Sequence, residues 1–160
     1  MKPLILTMGE PAGIGAEIAA AIAGHLGLDT VTIEAIHAAG RLHDVGKIGI
    51  REAVLNKPGP LTQPEFAHVK DHVRIGLEIL SPLHHLGDAL LYIRDHHEHW
   101  DGGGYPFGRA ADDISIGGRI LTAADAFDAL TSQRAYREPL KAVATLDYLR
   151  TQAGRLLEPR

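Results

Sequence analysis

The stretch TVTIEAIHAAGRLHDVGK, residues 30–47, carries apolar Ile33 and Ile36, then Gly40 and His43, at helical spacing along one stripe. Asp29 or Thr30 can cap its start. The reading is an amphipathic helix whose buried face runs directly into a histidine–aspartate pair, His43 and Asp44. Lys47 follows one turn later.

The same period repeats outward in both directions. A helix is expected from about Ile14 to Leu26, closed by Gly27. Thr62 and Glu65 form a capping box for a helix whose face carries Phe66, Val69, Val73, Leu77 and Leu80, with Pro82 beyond its end. Further helices are expected over roughly Leu86–His97, Ile116–Leu130 and Pro139–Ala153. The segment from Val45 to Thr62 reads as a connector broken by glycine and proline. The expectation is an all-α bundle with one exception. Pro3–Met8 reads as a short strand, followed by a turn containing Gly9, Gly13 and Gly15.

At 160 residues the chain is long enough for one domain with a real core. Its net charge of −4 gives no general attraction to nucleic acid or an anionic membrane, and neither partner is expected. No segment approaches the length of a membrane span. The absence of cysteine removes disulfides and thiolate nucleophiles and fits a cytoplasmic location. Ten histidines against three Phe and one Trp is a heavy dose, and they cluster.

His43 and His72 both fall on inward helical stripes, and Gly76, one turn past His72, lets another backbone or a ligand approach. His96, His97, Asp125 and Asp128 add further imidazoles and carboxylates. Burying such groups without compensation is expensive, and a divalent cation is the natural compensation. Mixed imidazole and carboxylate donors suit manganese, iron or zinc better than calcium or magnesium. A pair of such cations can activate a water and clamp a phosphoryl oxygen, which is the chemistry of phosphoester hydrolysis.

The strings LHDVGKIGI, VLNKPGPLT, HHEHWDGGGYP and RILTAADAFDALTSQRAYR together resemble the HD-GYP domain, a branch of the HD phosphohydrolase superfamily. The resemblance runs from about Leu26 to Ala153. It implies a helical bundle holding two divalent metals, iron or manganese before zinc, and hydrolysis of cyclic di-GMP to pGpG or GMP. By position it makes His43, Asp44, His72, His96, His97 and Asp125 metal ligands, with Asp44 bridging. Lys47 would neutralise a phosphate oxygen, and Tyr105, Arg134 and Arg137 would contact substrate. The loop Asp101–Pro106 would border the substrate and dock diguanylate cyclase (GGDEF) domains, with a sensory or receiver protein as another partner. His68, His84, His85 and His99 match no ligand position.

The family's usual first histidine would fall near Pro11, and the extra glutamate of three-metal members near Thr7. Neither ligand type stands there, so weakened metal affinity is expected. Residues 1–20 resemble instead the start of 4-hydroxythreonine-4-phosphate dehydrogenase, which divides the chain into an atypical segment 1–20 and a domain 21–160. Two alternatives to the phosphodiesterase follow. One is a non-catalytic module binding nucleotide or protein partners, and the more remote one is a fragment related to that dehydrogenase.

Overall fold

The computed structural model describes residues 15–132 and 138–159. The expected strand over Pro3–Met8, its glycine turn through Gly13, and both Arg134 and Arg137 lie outside the described residues. Among the described residues there are seven α-helices: α1 (Gly15–His25), α2 (Thr30–Leu42), α3 (Glu52–Leu55), α4 (Gln63–Leu80), α5 (Ala89–Asp95), α6 (Ile116–Thr131) and α7 (Ala142–Arg150). No strand is present among them; the one β-type contact is an isolated bridge between Ala153 and Leu157.

The capping expectations hold. The Asp29 side chain accepts from the Thr32 N–H at 3.0 Å and fixes the start of α2. Thr62 and Glu65 exchange bonds as a full capping box at the start of α4. Two boundaries differ from the sequence reading. The segment 45–62 is not a plain connector, because a 3₁₀ turn over Val45–Gly49 and the short α3 form within it. The helix expected over Leu86–His97 is shorter, since Gly87 takes a positive φ and His84–Leu86 winds as a separate 3₁₀ turn.

α1 packs on α2 and α6, and α5 packs on the same two helices, so α2 and α6 form the centre of the bundle. The main core joins Ile36, Ala39, Tyr92, Ile93, Ile120 and Leu121 with the small Ala19 and Ala23 of α1. Ile36 and Ile93 are fully buried, each contributing about 1.5–3 kcal/mol of transfer free energy. A smaller cluster of Ile50, Val54 and Val69 seats the 45–55 segment on α4.

One close approach positions the site. A Cβ on Gly46 would collide with the backbone of His72 and Gly76, and one on Gly76 would lie 3.4 Å from the Gly46 nitrogen. Two glycines therefore let the turn after the histidine–aspartate pair lie directly on α4, as expected for Gly76.

Candidate metal centre

The end of α2 delivers His43 and Asp44, the turn behind it Lys47, the middle of α4 His72, and the end of α5 His96 and His97. Asp125 comes from α6. The fold brings these residues to one place.

Three of the imidazoles are held alike. Nδ1 lies 2.7 Å from the Gly40 carbonyl in His43, 2.7 Å from that of Val69 in His72, and 2.6 Å from that of Ile93 in His96. A carbonyl oxygen only accepts, so each Nδ1 carries the ring proton and donates it. In the neutral ring this leaves Nε2 with a bare lone pair. Such backbone bonds are the usual way a protein orients a metal-binding imidazole.

Those lone pairs converge. The Nε2 atoms of His72 and His96 are 3.4 Å apart. The His97 Nε2 is buried with no hydrogen-bond partner. The rings are edge-on or tilted, with centroids 4.0 Å apart for His96 and His97 and 4.9 Å for His43 and His96. Two donor groups emerge, His72–His96–His97 and His43–Asp44–His96, each with its ligating atoms within 4.8 Å of one another. Facing lone pairs repel unless a cation lies among them, so this donor set fits a divalent metal of the kind that takes nitrogen and carboxylate ligands.

The carboxylates stand around the imidazoles. Asp44 Oδ1 lies 3.6 Å from His72 Nε2, and its Oδ2 lies 3.4 Å from His43 Nε2. Lys47, only 7% exposed, donates to Asp44 Oδ2 at 2.6 Å. Burial raises the Asp44 pKa, but His43 in its protonated form and the Lys47 ammonium outweigh it and hold the carboxyl at about 2. Burial, reinforced by neighbouring imidazoles, keeps His96 and His97 neutral well below the usual histidine range, and burial lowers His72 as well. Asp125 sits at the rim, 3.9 Å from His43 Nε2. Asp128 is directed elsewhere: it accepts from the Ser132 hydroxyl at 3.1 Å and closes the end of α6.

Tyr105 forms one wall. Its ring stacks on His97 at 4.7 Å, and its N–H donates to the His97 carbonyl at 3.0 Å. Burial raises the pKa of the hydroxyl, with Asp125 and Asp44 adding to the effect, so the phenol stays neutral. A Cβ on Gly104 would strike the backbone of His97–His99, which is how the loop folds back onto the ligand strip.

Two residues that hold this loop were missed in the sequence. Glu98, 1% exposed, accepts from the Phe107 N–H at 2.8 Å and the Arg109 N–H at 3.0 Å. Asp95, fully buried, accepts from Arg94 at 2.7 and 3.0 Å and from the Ser115 N–H at 2.9 Å. His68, unassigned from sequence, accepts from the Arg51 N–H at 3.2 Å and ties the connector to α4.

A family model described as HD domain matches residues 6–160. The chain belongs to the HD-domain family. This HD domain is 45% identical over 147 residues to the cyclic di-GMP phosphodiesterase response regulator RpfG of Xanthomonas campestris, covering 89% of the chain and 38% of that protein. It is 41% identical over 142 residues to a cyclic di-GMP phosphodiesterase of Thermotoga maritima, with 86% and 38% covered. It is 42% identical over 136 residues to 3'3'-cGAMP-specific phosphodiesterase 2 of Vibrio cholerae, with 84% and 26% covered. The HD domain thus spans about two fifths or less of the length of these relatives. The crystal structure of a cyclic GMP-AMP-specific phosphodiesterase of V. cholerae superposes with a TM-score of 0.70 at 18% identity, over 98% of this chain and 43% of that one, and supports the helical fold. The resemblance of residues 1–20 to the dehydrogenase is not borne out: the HD match begins at residue 6, inside that segment.

Proposed function

We propose that this HD domain is a metal-dependent phosphodiesterase of cyclic dinucleotides, with cyclic di-GMP as substrate and pGpG or GMP as product. The observation that carries the reading is the convergence of bare Nε2 lone pairs on Asp44, with Lys47 alongside. His43, Asp44 and Asp125 would hold one divalent ion and His72, His96 and His97 a second, with Asp44 shared; iron or manganese is the first choice and zinc the next. When bound, such ions polarise the phosphoryl oxygen and make a water nucleophilic at neutral pH.

The remaining work falls to the chain. Backbone carbonyls of Gly40, Val69 and Ile93 keep three imidazoles in the metal-binding tautomer. Lys47, anchored by Asp44, offers its charge to a phosphate oxygen as negative charge develops there. Tyr105 covers one face of His97 with its ring, and its buried hydroxyl has no hydrogen-bond partner among the described residues, leaving it available to substrate. Arg134 and Arg137 are assigned to the substrate phosphates, for which guanidinium is well shaped. The Tyr105 loop, with Phe107 exposed, is the surface we assign to a diguanylate cyclase (GGDEF), sensory or receiver partner. Among the described residues no helix is long and apolar enough to cross a membrane. We place the domain in the cytoplasm, the compartment that its cysteine-free sequence fits.

A second reading, a non-catalytic binding module, is favoured by the lack of a histidine near Pro11. The test is metal analysis of the purified chain, followed by turnover of cyclic di-GMP and of 3'3'-cGAMP with added manganese. Bound iron or manganese with formation of pGpG is expected. Faster cutting of 3'3'-cGAMP would move the substrate. Full metal occupancy without turnover would favour the binding module, and turnover surviving His43→Ala and Asp44→Ala would overturn the site.

A further inference from the structure

Lys70 lies on α4 two residues before His72 and takes no part in the cluster so far described. Its ammonium sits 5.0 Å from the centroid of the Phe66 ring and 5.6 Å from that of Tyr105. The two rings meet edge to face at 6.3 Å, and Tyr105 in turn stacks on His97. Lys70 is therefore two ring contacts from a candidate ligand. No carboxylate among the described residues lies within ion-pair distance of it, whereas Lys47 and Lys57 each sit 2.6 Å from an acid.

A half-buried lysine normally spends its charge on a nearby carboxylate. Here the rings orient the charge instead. A cation held over aromatic faces is stabilised less than by a phosphate and keeps its N–H donors available. A compact ammonium is a point charge suited to a phosphate oxygen rather than to a planar, bidentate partner. The scissile phosphate already has Lys47 and the candidate metal centre. A cyclic dinucleotide carries a second phosphate that is not being cut, and it must project away from that centre.

We propose that Lys70 anchors this second phosphate, on a platform built by Phe66 and Tyr105. The inference rests on the phosphodiester reading of the same site. Its consequence is selectivity for substrates with two phosphates over those with one.

The experiment compares wild type with Lys70→Met and Lys70→Arg, using cyclic di-GMP and the one-phosphate diester bis(p-nitrophenyl) phosphate, at low and high salt. For Lys70→Met, KM for cyclic di-GMP should rise about tenfold, as for loss of one charge-assisted contact, with kcat little changed. The KM effect on the one-phosphate diester should be several-fold smaller, Lys70→Arg should restore much of the loss, and the salt dependence of KM should flatten in Lys70→Met. Equal losses on both substrates, or no change in KM for cyclic di-GMP, would overturn the role of Lys70 while leaving the phosphodiesterase reading intact. If wild type cuts neither diester, the earlier reading fails, and binding of cyclic di-GMP by calorimetry decides Lys70 alone: equal affinity in wild type and Lys70→Met overturns it.

Discussion

Asp44, half-buried, and Glu98, buried, are acids beside the same histidine cluster, and their oxygens meet opposite surroundings. Each oxygen of Glu98 accepts a backbone N–H, from Phe107 and Arg109. Asp95, three residues earlier, is likewise surrounded by Arg94 and the Ser115 N–H. Among the described residues Asp44 receives one donor, Lys47, and otherwise faces the Nε2 atoms of rings whose Nδ1–H donates to a backbone carbonyl. A buried carboxylate whose oxygens are saturated by N–H groups is scaffold, because its desolvation is already offset. One that faces lone pairs is incomplete without a cation. The contrast separates ligand from support among acids that look alike in the sequence.

The sharpest way to break the contrast is Asp44→Asn. The amide keeps the shape but removes the charge between His43 and His72, so metal content should fall. Turnover of cyclic di-GMP should drop on the order of 10³-fold, comparable with losing a principal electrostatic stabiliser. Elemental analysis and a product assay read both effects. Retention of metal and of turnover would place Asp44 with the structural acids.

Glu98→Gln should do the reverse. A glutamine can accept one of the two N–H groups but must point its own NH₂ at the other, leaving a buried donor pair unmatched. The cost should be about 1–3 kcal/mol of stability, measured by denaturant unfolding of the metal-loaded protein. The folded protein should keep its metal, since no oxygen of Glu98 faces the cluster. Lost metal with unchanged stability would show that the acids have been sorted wrongly.

The sequence carried the helices and the cluster further than it carried the loop. Helical period and two capping signals placed α2 and α4, and the inward stripes that end in His43 and pass through His72 meet because each is a local regularity. Gly76 was legible for the same reason. Asp95 and Glu98 were not, since DHHEH offers five titratable side chains in a row and nothing local tells ligand from support. The decision is made by Phe107, Arg109 and Ser115, whose N–H groups arrive through a fold of the chain that no period encodes. The short helices between Val45 and Leu55 were hidden by the glycines that permit their close packing on α4. Lys70 was overlooked because its aromatic partner Tyr105 is distant in sequence.

Glu65 extends the comparison to an acid at the surface. One of its oxygens, Oε2, takes Lys57 Nζ at 2.6 Å, the Thr62 N–H at 2.7 Å and the Thr62 hydroxyl at 2.8 Å. The Lys57 bond first, and the two Thr62 bonds after it, lower its pKa from 4.5 to about 2. Because the folded value lies below the unfolded one, the carboxylate contributes stability above pH 4.5 that is lost as pH falls toward 2. Glu65→Gln removes that contribution at every pH, so the gap in urea midpoint between wild type and variant should be widest at pH 6 and shrink steadily between pH 4.5 and 2. Solvent screening and the exposure of the capping box make this the smallest of the three effects. A gap that stays constant across that range would mean that the Glu65 bonds depend on shape alone, and saturation by donors would then say nothing about charge.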